Sequence, residues 1–200
     1  MTVDIHPGNV VHSMDHLVLD LATSDGSSAY LTIYSLALMR DVGPGRVALL
    51  RITRGDDVVD RCFGETIGLA ARMQQRLRKA RADGGNAPEV GITNPPIQAS
   101  IRRTPTSAHG EHWMVESSEN TIEASWSSPE PPIWLSAPAP SFHATRDYFT
   151  TMVSYRDSEL VVDGHKVAGD PYPHALWEER LGRPFSSCHA AFAETAVERP

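Results

Sequence analysis

Turn signals recur along this chain at intervals too short for long helices: Ser24-Asp25-Gly26-Ser27-Ser28, Asp41-Val42-Gly43-Pro44-Gly45, Arg54-Gly55-Asp56-Asp57, Ser117-Ser118-Glu119-Asn120 and Asp163-Gly164. Glycine supplies positive φ at such points, while Asp, Asn and Ser bond their own backbone two residues on. The pieces between them have strand length and carry many β-branched and aromatic residues. This spacing predicts strands over 16–22, 30–39, 46–53, 97–103, 111–116, 121–127, 148–155, 159–162 and 186–197. Short turns between consecutive strands imply antiparallel pairing.

One segment breaks the pattern. Val59, Cys62, Phe63, Ala70, Met73 and Leu77 fall on a 3.6-residue stripe, with Asp56, Asp57 and Asp60 near its start and Arg76, Arg78, Lys79 and Arg81 near its end. Acid first and base last complement the helix dipole, so an amphipathic helix is expected over about 57–82, stopped by Asp83-Gly84-Gly85-Asn86. A short helical piece is expected over 174–181. Residues 129–140 hold five prolines and read as a stiff extended segment, and residues 1–13 as an irregular arm. The fold class that follows is mainly β (α+β), a single domain over 14–197. It is an antiparallel β-barrel or strongly curved sheet, lipocalin-like or hot-dog-like, with one long amphipathic helix. The interior of either architecture suits an apolar ligand.

Eighteen basic against 25 acidic side chains give a formal net charge of −7, which disfavours nucleic acid and anionic membrane as partners. The longest apolar-leaning run, 30–39, is interrupted by Thr32 and Ser35 and falls short of the ~18 residues a spanning helix needs. With no Lys or Arg before Arg40, the start lacks the basic region of a secretory signal, and a cytoplasmic protein is expected. Cys62 and Cys188 are the only cysteines and read as buried thiols. Cys188 and His189 are adjacent on a strand, so they face opposite sides and do not pair.

Gly43-Pro44-Gly45-Arg46-Val47-Ala48 has the letters of a dinucleotide fingerprint, but a strand pattern rather than a helix follows it, so it reads as a hairpin turn. The aromatic residues Trp126, Trp134, Tyr148, Tyr172 and Trp177 are candidates to line a ligand, since Tyr and Trp join an apolar body to one directed hydrogen bond. Their plainer role is the core of the second half. Near them stand His143, Arg146, Asp147, His174, Glu178 and Glu194, of which His174, Asp147 and Arg146 are the favoured acid–base set. His189 and Glu194, five positions apart, face opposite sides on a regular strand.

The leading expectation is a small-molecule-binding protein with cofactor-independent acid–base chemistry, of isomerase, cyclase or lyase type, on an apolar metabolite. A second expectation starts from His109-Gly110-Glu111, where one imidazole and one carboxylate share a strand face. With a distal histidine such as His174 this resembles the His-x-Asp/Glu and histidine pattern of the 2-oxoglutarate oxygenases. The resemblance implies a divalent metal, with Arg183 as a carboxylate anchor. A third expectation is a non-catalytic interaction subunit docking through 129–140 or the Arg-bearing helix. A second copy of the chain is a further candidate partner.

Overall fold

Strand β1 (Asn9–Ala22) divides its side chains between two faces: Leu17, Leu19 and Leu21 are buried on one, while His16, Val18 and Asp20 point the other way. The structure, a computed structural model, describes residues 8–83, 87–104, 110–141 and 143–199. Strands β2 (Ser28–Met39), β3 (Gly45–Arg54) and β4 (Asp57–Gly64) follow, each antiparallel to the one before. Helix α1 (Ile67–Ala82) leads to β5 (Ile97–Arg103), β6 (Glu111–Ser117) and β7 (Thr121–Pro129). The remaining elements are β8 (Ile133–Ala137), β9 (Arg146–Val162), β10 (His165–Lys166), α2 (Ala175–Leu181) and β11 (His189–Glu198).

The long strand β9 closes the sheet. One of its edges pairs with β8 and then β7, the other with β11 and then β10, and β11 in turn pairs with β1. The result is a mainly β, ring-like sheet. It is not a regular barrel, because β4 and β5 meet only through a parallel contact of Phe63 and Gly64 with Ile97 and Gln98.

Leu17, Leu31, Leu50, Phe63, Ile101 and Trp126 fill the inside of the ring, and each is at most 1% exposed. Trp126 donates its indole N–H to the Val18 carbonyl at 2.8 Å, so its polar atom is satisfied there. The interior is therefore a packed core rather than the ligand cavity expected of a lipocalin-like or hot-dog-like fold.

Helix α1 lies outside the ring, with Leu69, Ala70, Met73 and Leu77 packed on Tyr34, Leu36, Val47, Leu49 and Cys62. Gly64 permits this approach, since a Cβ there would stand 2.8 Å from the Ala70 Cβ. The helix begins after Thr66, whose hydroxyl accepts from the Leu69 N–H at 3.1 Å, and not near residue 57. Residues 57–64 are a strand because Gly55, at φ 59°, turns the chain back along β3 and the β-branched Val58 and Val59 suit that pairing. Asp60 serves the sheet rather than a helix start, accepting from Arg51 Nε and the Gly91 N–H. The basic end, Lys79 and Arg81, falls in the last turn of α1 as read.

Three further boundaries differ. Asn9 to Ser13, read as part of an arm, are strand because β11 and β2 take up their backbone groups. The two strands expected over 148–155 and 159–162 are one, since Asp157 and Ser158 stay paired with Ser127 and Trp126. Residues 133–137 of the proline-rich segment form β8 on β9. Among the described residues, no helix is long and apolar enough to cross a membrane.

Candidate functional site

A groove of about 1070 Å³ runs over the outer face of β1, β2, β9 and β11, between α1 and α2. Its floor carries His16, Val18 and Asp20 of β1, Tyr30 of β2, Thr150 and Met152 of β9, and His189, Ala191 and Glu194 of β11. Alternation alone does not put His189 and Glu194 on one side. The register of β11 against β9 shifts between Phe192 and Thr195, where Ala193 takes φ 49° and donates its N–H to Asp15. This bulge inserts one residue and turns Glu194 to the groove, which corrects the opposite-face expectation.

Glu194 sits between two imidazoles. His12 Nε2 lies 3.2 Å from Oε1, and His16 Nδ1 lies 3.9 Å from Oε2. Burial pushes the Glu194 carboxyl up, but His12 and His16 outweigh it and hold the group down at about 2, so it is ionised. His16 is fixed from its other side. Thr32 donates its hydroxyl to the Leu17 carbonyl at 3.1 Å, so the His16 Nε2, 2.8 Å from Thr32 Oγ1, carries the proton of that bond. The ring also stacks on Tyr34 at 4.5 Å and 12°.

His189 is neutral. Burial, followed by the neighbouring His16 and His174, lowers its imidazole to about 3. The Ser187 and Ser186 backbone pulls more weakly the other way, yet Nδ1 is buried without a well-formed hydrogen bond among the described residues, while Phe185, His174 and Trp177 surround the ring at 5.3, 5.8 and 6.3 Å.

Asp20 has the opposite bias to Glu194. Burial raises its carboxyl above the usual range, and the opposing pull of the Tyr172 hydroxyl, which donates to Oδ2 at 2.6 Å, and of His174 is smaller. Burial and Asp20 together push the Tyr30 phenol up as well, so it stays protonated at neutral pH. One groove thus holds a carboxyl pushed toward the acid form and another locked as the anion. Such divergence separates acid–base roles between like groups.

Of the sequence-predicted residues, His174, Arg146, Tyr148 and Trp177 line the same groove, but His174 and Trp177 stand at the Asp20 end and Arg146 and Tyr148 toward Arg76, so the expected His174–Arg146 pairing does not form. His174 also caps α2, its Nδ1 accepting from the Trp177 N–H at 3.4 Å. Tyr172 reaches the site through Asp20. Asp147 is turned to the other side of β9, where it holds Arg199 and accepts from the Ala139 N–H. Trp126 is inside the ring, and Trp134 is 67% exposed while its neighbour Leu135 lines the groove. Glu178 is occupied in accepting from the Phe185 N–H.

His109 lies outside the described residues. Glu111 is buried in the ring, paired with Arg103 and accepting from Trp113 Nε1 at 3.2 Å, so it faces a different space from His174. Arg183 is exposed. Among the described residues, no group of three His, Cys, Asp or Glu is placed to hold a metal ion. The sequence reading missed His12, His16, Asp20 and Tyr30. The available signal was β1 itself, where His16 and Asp20 alternate with three leucines.

No protein-family model and no curated protein matches this chain. Among solved structures, acetoacetate decarboxylase from Legionella pneumophila subsp. pneumophila str. Philadelphia 1 is similar over 100% of this chain and 89% of that one. The identity is 8% and the TM-score 0.41, a likeness that transfers no residue and no activity.

Proposed function

We propose that the groove binds a small organic molecule and performs acid–base chemistry on it with the protein's own side chains, of isomerase, cyclase or lyase type. The observation that carries this reading is the opposed bias of Asp20 and Glu194 on one groove floor. Asp20 is the proton-transfer group: as carboxylate it takes a proton from the ligand, and as carboxylic acid it returns that proton to another atom. Tyr172 steadies it through the hydroxyl hydrogen bond. His189, neutral and with a buried nitrogen that lacks a well-formed hydrogen bond among the described residues, orients a polar group of the ligand. Glu194 stays charged and holds His16 in place. Val18, Leu135, Met152 and Trp177 offer apolar surface to the ligand body.

The test is to incubate the wild type and Asp20→Asn with a cellular metabolite extract and follow both by mass spectrometry. A metabolite consumed by the wild type, with consumption at least roughly a hundredfold slower in Asp20→Asn, is the expected result. Equal consumption by both proteins would remove Asp20 from the chemistry. Stoichiometric binding of a metabolite without turnover would reduce the protein to a binding module.

A further inference from the structure

The groove is not uniform along β1. Toward Asp20 its lining is aromatic and carboxylic, with Arg180 set over the Trp177 ring, whereas at the opposite end Arg40, Arg76, Arg146 and His143 cluster; Arg72 and Lys79 of α1 line it as well. The acidic groups there do not answer all of this charge. Glu198 is 2.8 Å from Arg40 Nη1 and 3.8 Å from Arg146 Nη2. Asp41 also lines this end. Arg146 keeps a buried Nε without a hydrogen-bond partner among the described residues. Arg76, half-buried on α1, has neither an ion pair nor a hydrogen bond among the described residues. Burial and then the charge of Arg146 work against its protonated form more than Tyr148 and the Asp41 carboxylate support it, so a further anion beside the two guanidinium groups would lower the cost of this position.

Guanidinium groups present planar forks of N–H donors that match a carboxylate or phosphate, and a partly desolvated fork binds such groups most strongly. We propose that this end of the groove seats the oxyanion head, a carboxylate or a phosphate monoester, of the ligand, with Arg76 and Arg146 as its donors. The inference rests on the groove being the ligand site. It names the substrate class: a small organic anion whose apolar body runs from the arginines toward Val18 and Trp177, placing its far end near Asp20 and His189. The head would then anchor the molecule away from the atoms that exchange protons, which spends binding energy on orientation.

Two fluorescent probes of similar size separate the anion site from the groove: anilinonaphthalene sulfonate, which carries an anionic head, and neutral N-phenylnaphthylamine. The wild type is expected to bind both saturably. Arg76→Gln and Arg146→Gln should each weaken the sulfonate probe roughly tenfold, the size of one lost charge-assisted hydrogen bond. Arg76→Lys should fall between, and the neutral probe should bind all of them alike. Equal sulfonate binding by wild type and both Gln variants, with the neutral probe still bound, overturns the anion site and leaves the groove standing. Failure of both probes on the wild type, or no change for either in Trp177→Ala, overturns the groove reading and this one with it. If Arg76→Gln loses both probes together, the ratio of the two in Arg146→Gln decides. Benzoate and phenyl phosphate then compete with the sulfonate probe. Displacement by one names the head group, by both the shared chemistry, and by neither overturns the proposal.

Discussion

The two faces of the closing sheet treat ionisable groups differently. Inside the ring, Glu111 is matched by Arg103 and Trp113, and the Trp126 indole by the Val18 carbonyl. On the outer groove, His189 Nδ1 and Arg146 Nε are buried without well-formed hydrogen bonds among the described residues, and Asp20 is pushed toward its neutral form. Single unsatisfied atoms also occur on the inner face, at Ser158 Oγ and Arg61 Nε, so it is the gathering of unpartnered and biased ionisable groups in one groove that marks where something other than stability shaped the chain. The aromatic residues divide in the same way. Trp126 is core and Trp177 is wall, though the sequence presents both as ligand candidates.

The largest expected effect follows from that division. Trp126→Ala removes the biggest fully buried side chain among the described residues and leaves a cavity in the ring, which should cost about 3–5 kcal/mol in urea unfolding. Trp177→Ala, on a helix with no buried residue, should cost under about 1.5 kcal/mol while removing ligand binding. Comparable losses of stability in the two would break the contrast between a structural interior and a functional exterior.

Next in size is the pH dependence of stability. Glu194 has a folded value of about 2 against 4.5 ordinarily, so it contributes stability that is present above about 4.5 and lost as pH falls toward 2. The contribution is at most about 3 kcal/mol. His189 is lowered from 6.5 to about 3, so its neutral form also favours the fold above 6.5, and that stability is lost as pH falls through the interval. Denaturation followed from pH 7 to pH 3 should therefore show two overlapping limbs. His189→Phe should flatten the limb between about 6.5 and 4.5, and Glu194→Gln the one below it. If His189→Phe leaves the upper limb unchanged, the imidazole is not held neutral by burial.

How much of this was legible depends on which physical rule each element obeys. Turn chemistry is local, so the strands bounded by Gly26, Gly43 to Gly45 and Gly164 stand close to where the sequence puts them. The start of α1 is not local. Val59, Cys62 and Phe63 fit a helical period by chance, and only the hairpin at Gly55 with its pairing to β3 decides for a strand. The site was harder still. Arg146, Tyr148, His174 and Trp177 were found by residue type, but Asp147 lost its place to simple alternation along β9. Glu194 was excluded from partnership with His189 by the same alternation, which the Ala193 bulge breaks. Asp20 and His16 carry no motif, and their roles arise from burial against helices and strands far away in the chain.

Asp20 gives the smallest effect on stability and the sharpest comparison with Glu194. Its carboxyl is raised in the folded state, so what it contributes to stability is present below its ordinary value of 3.8 and lost as pH rises through the higher folded value. At neutral pH its charge opposes folding. Asp20→Asn removes that charge, and the amide oxygen remains able to accept the Tyr172 hydroxyl hydrogen bond. Thermal unfolding at pH 7 should therefore rise slightly or stay level, by less than about 1 kcal/mol, whereas Glu194→Gln should fall. At pH 3 the order narrows, since both carboxyls then approach their protonated forms in the unfolded chain. A fold that becomes more stable when its proton-transfer group is neutralised is the signature of a site kept for chemistry at some expense of stability. A fall of several kcal/mol in Asp20→Asn at pH 7 would instead make Asp20 a structural acceptor for Tyr172, and the acid–base role would pass to the His16–Glu194 pair.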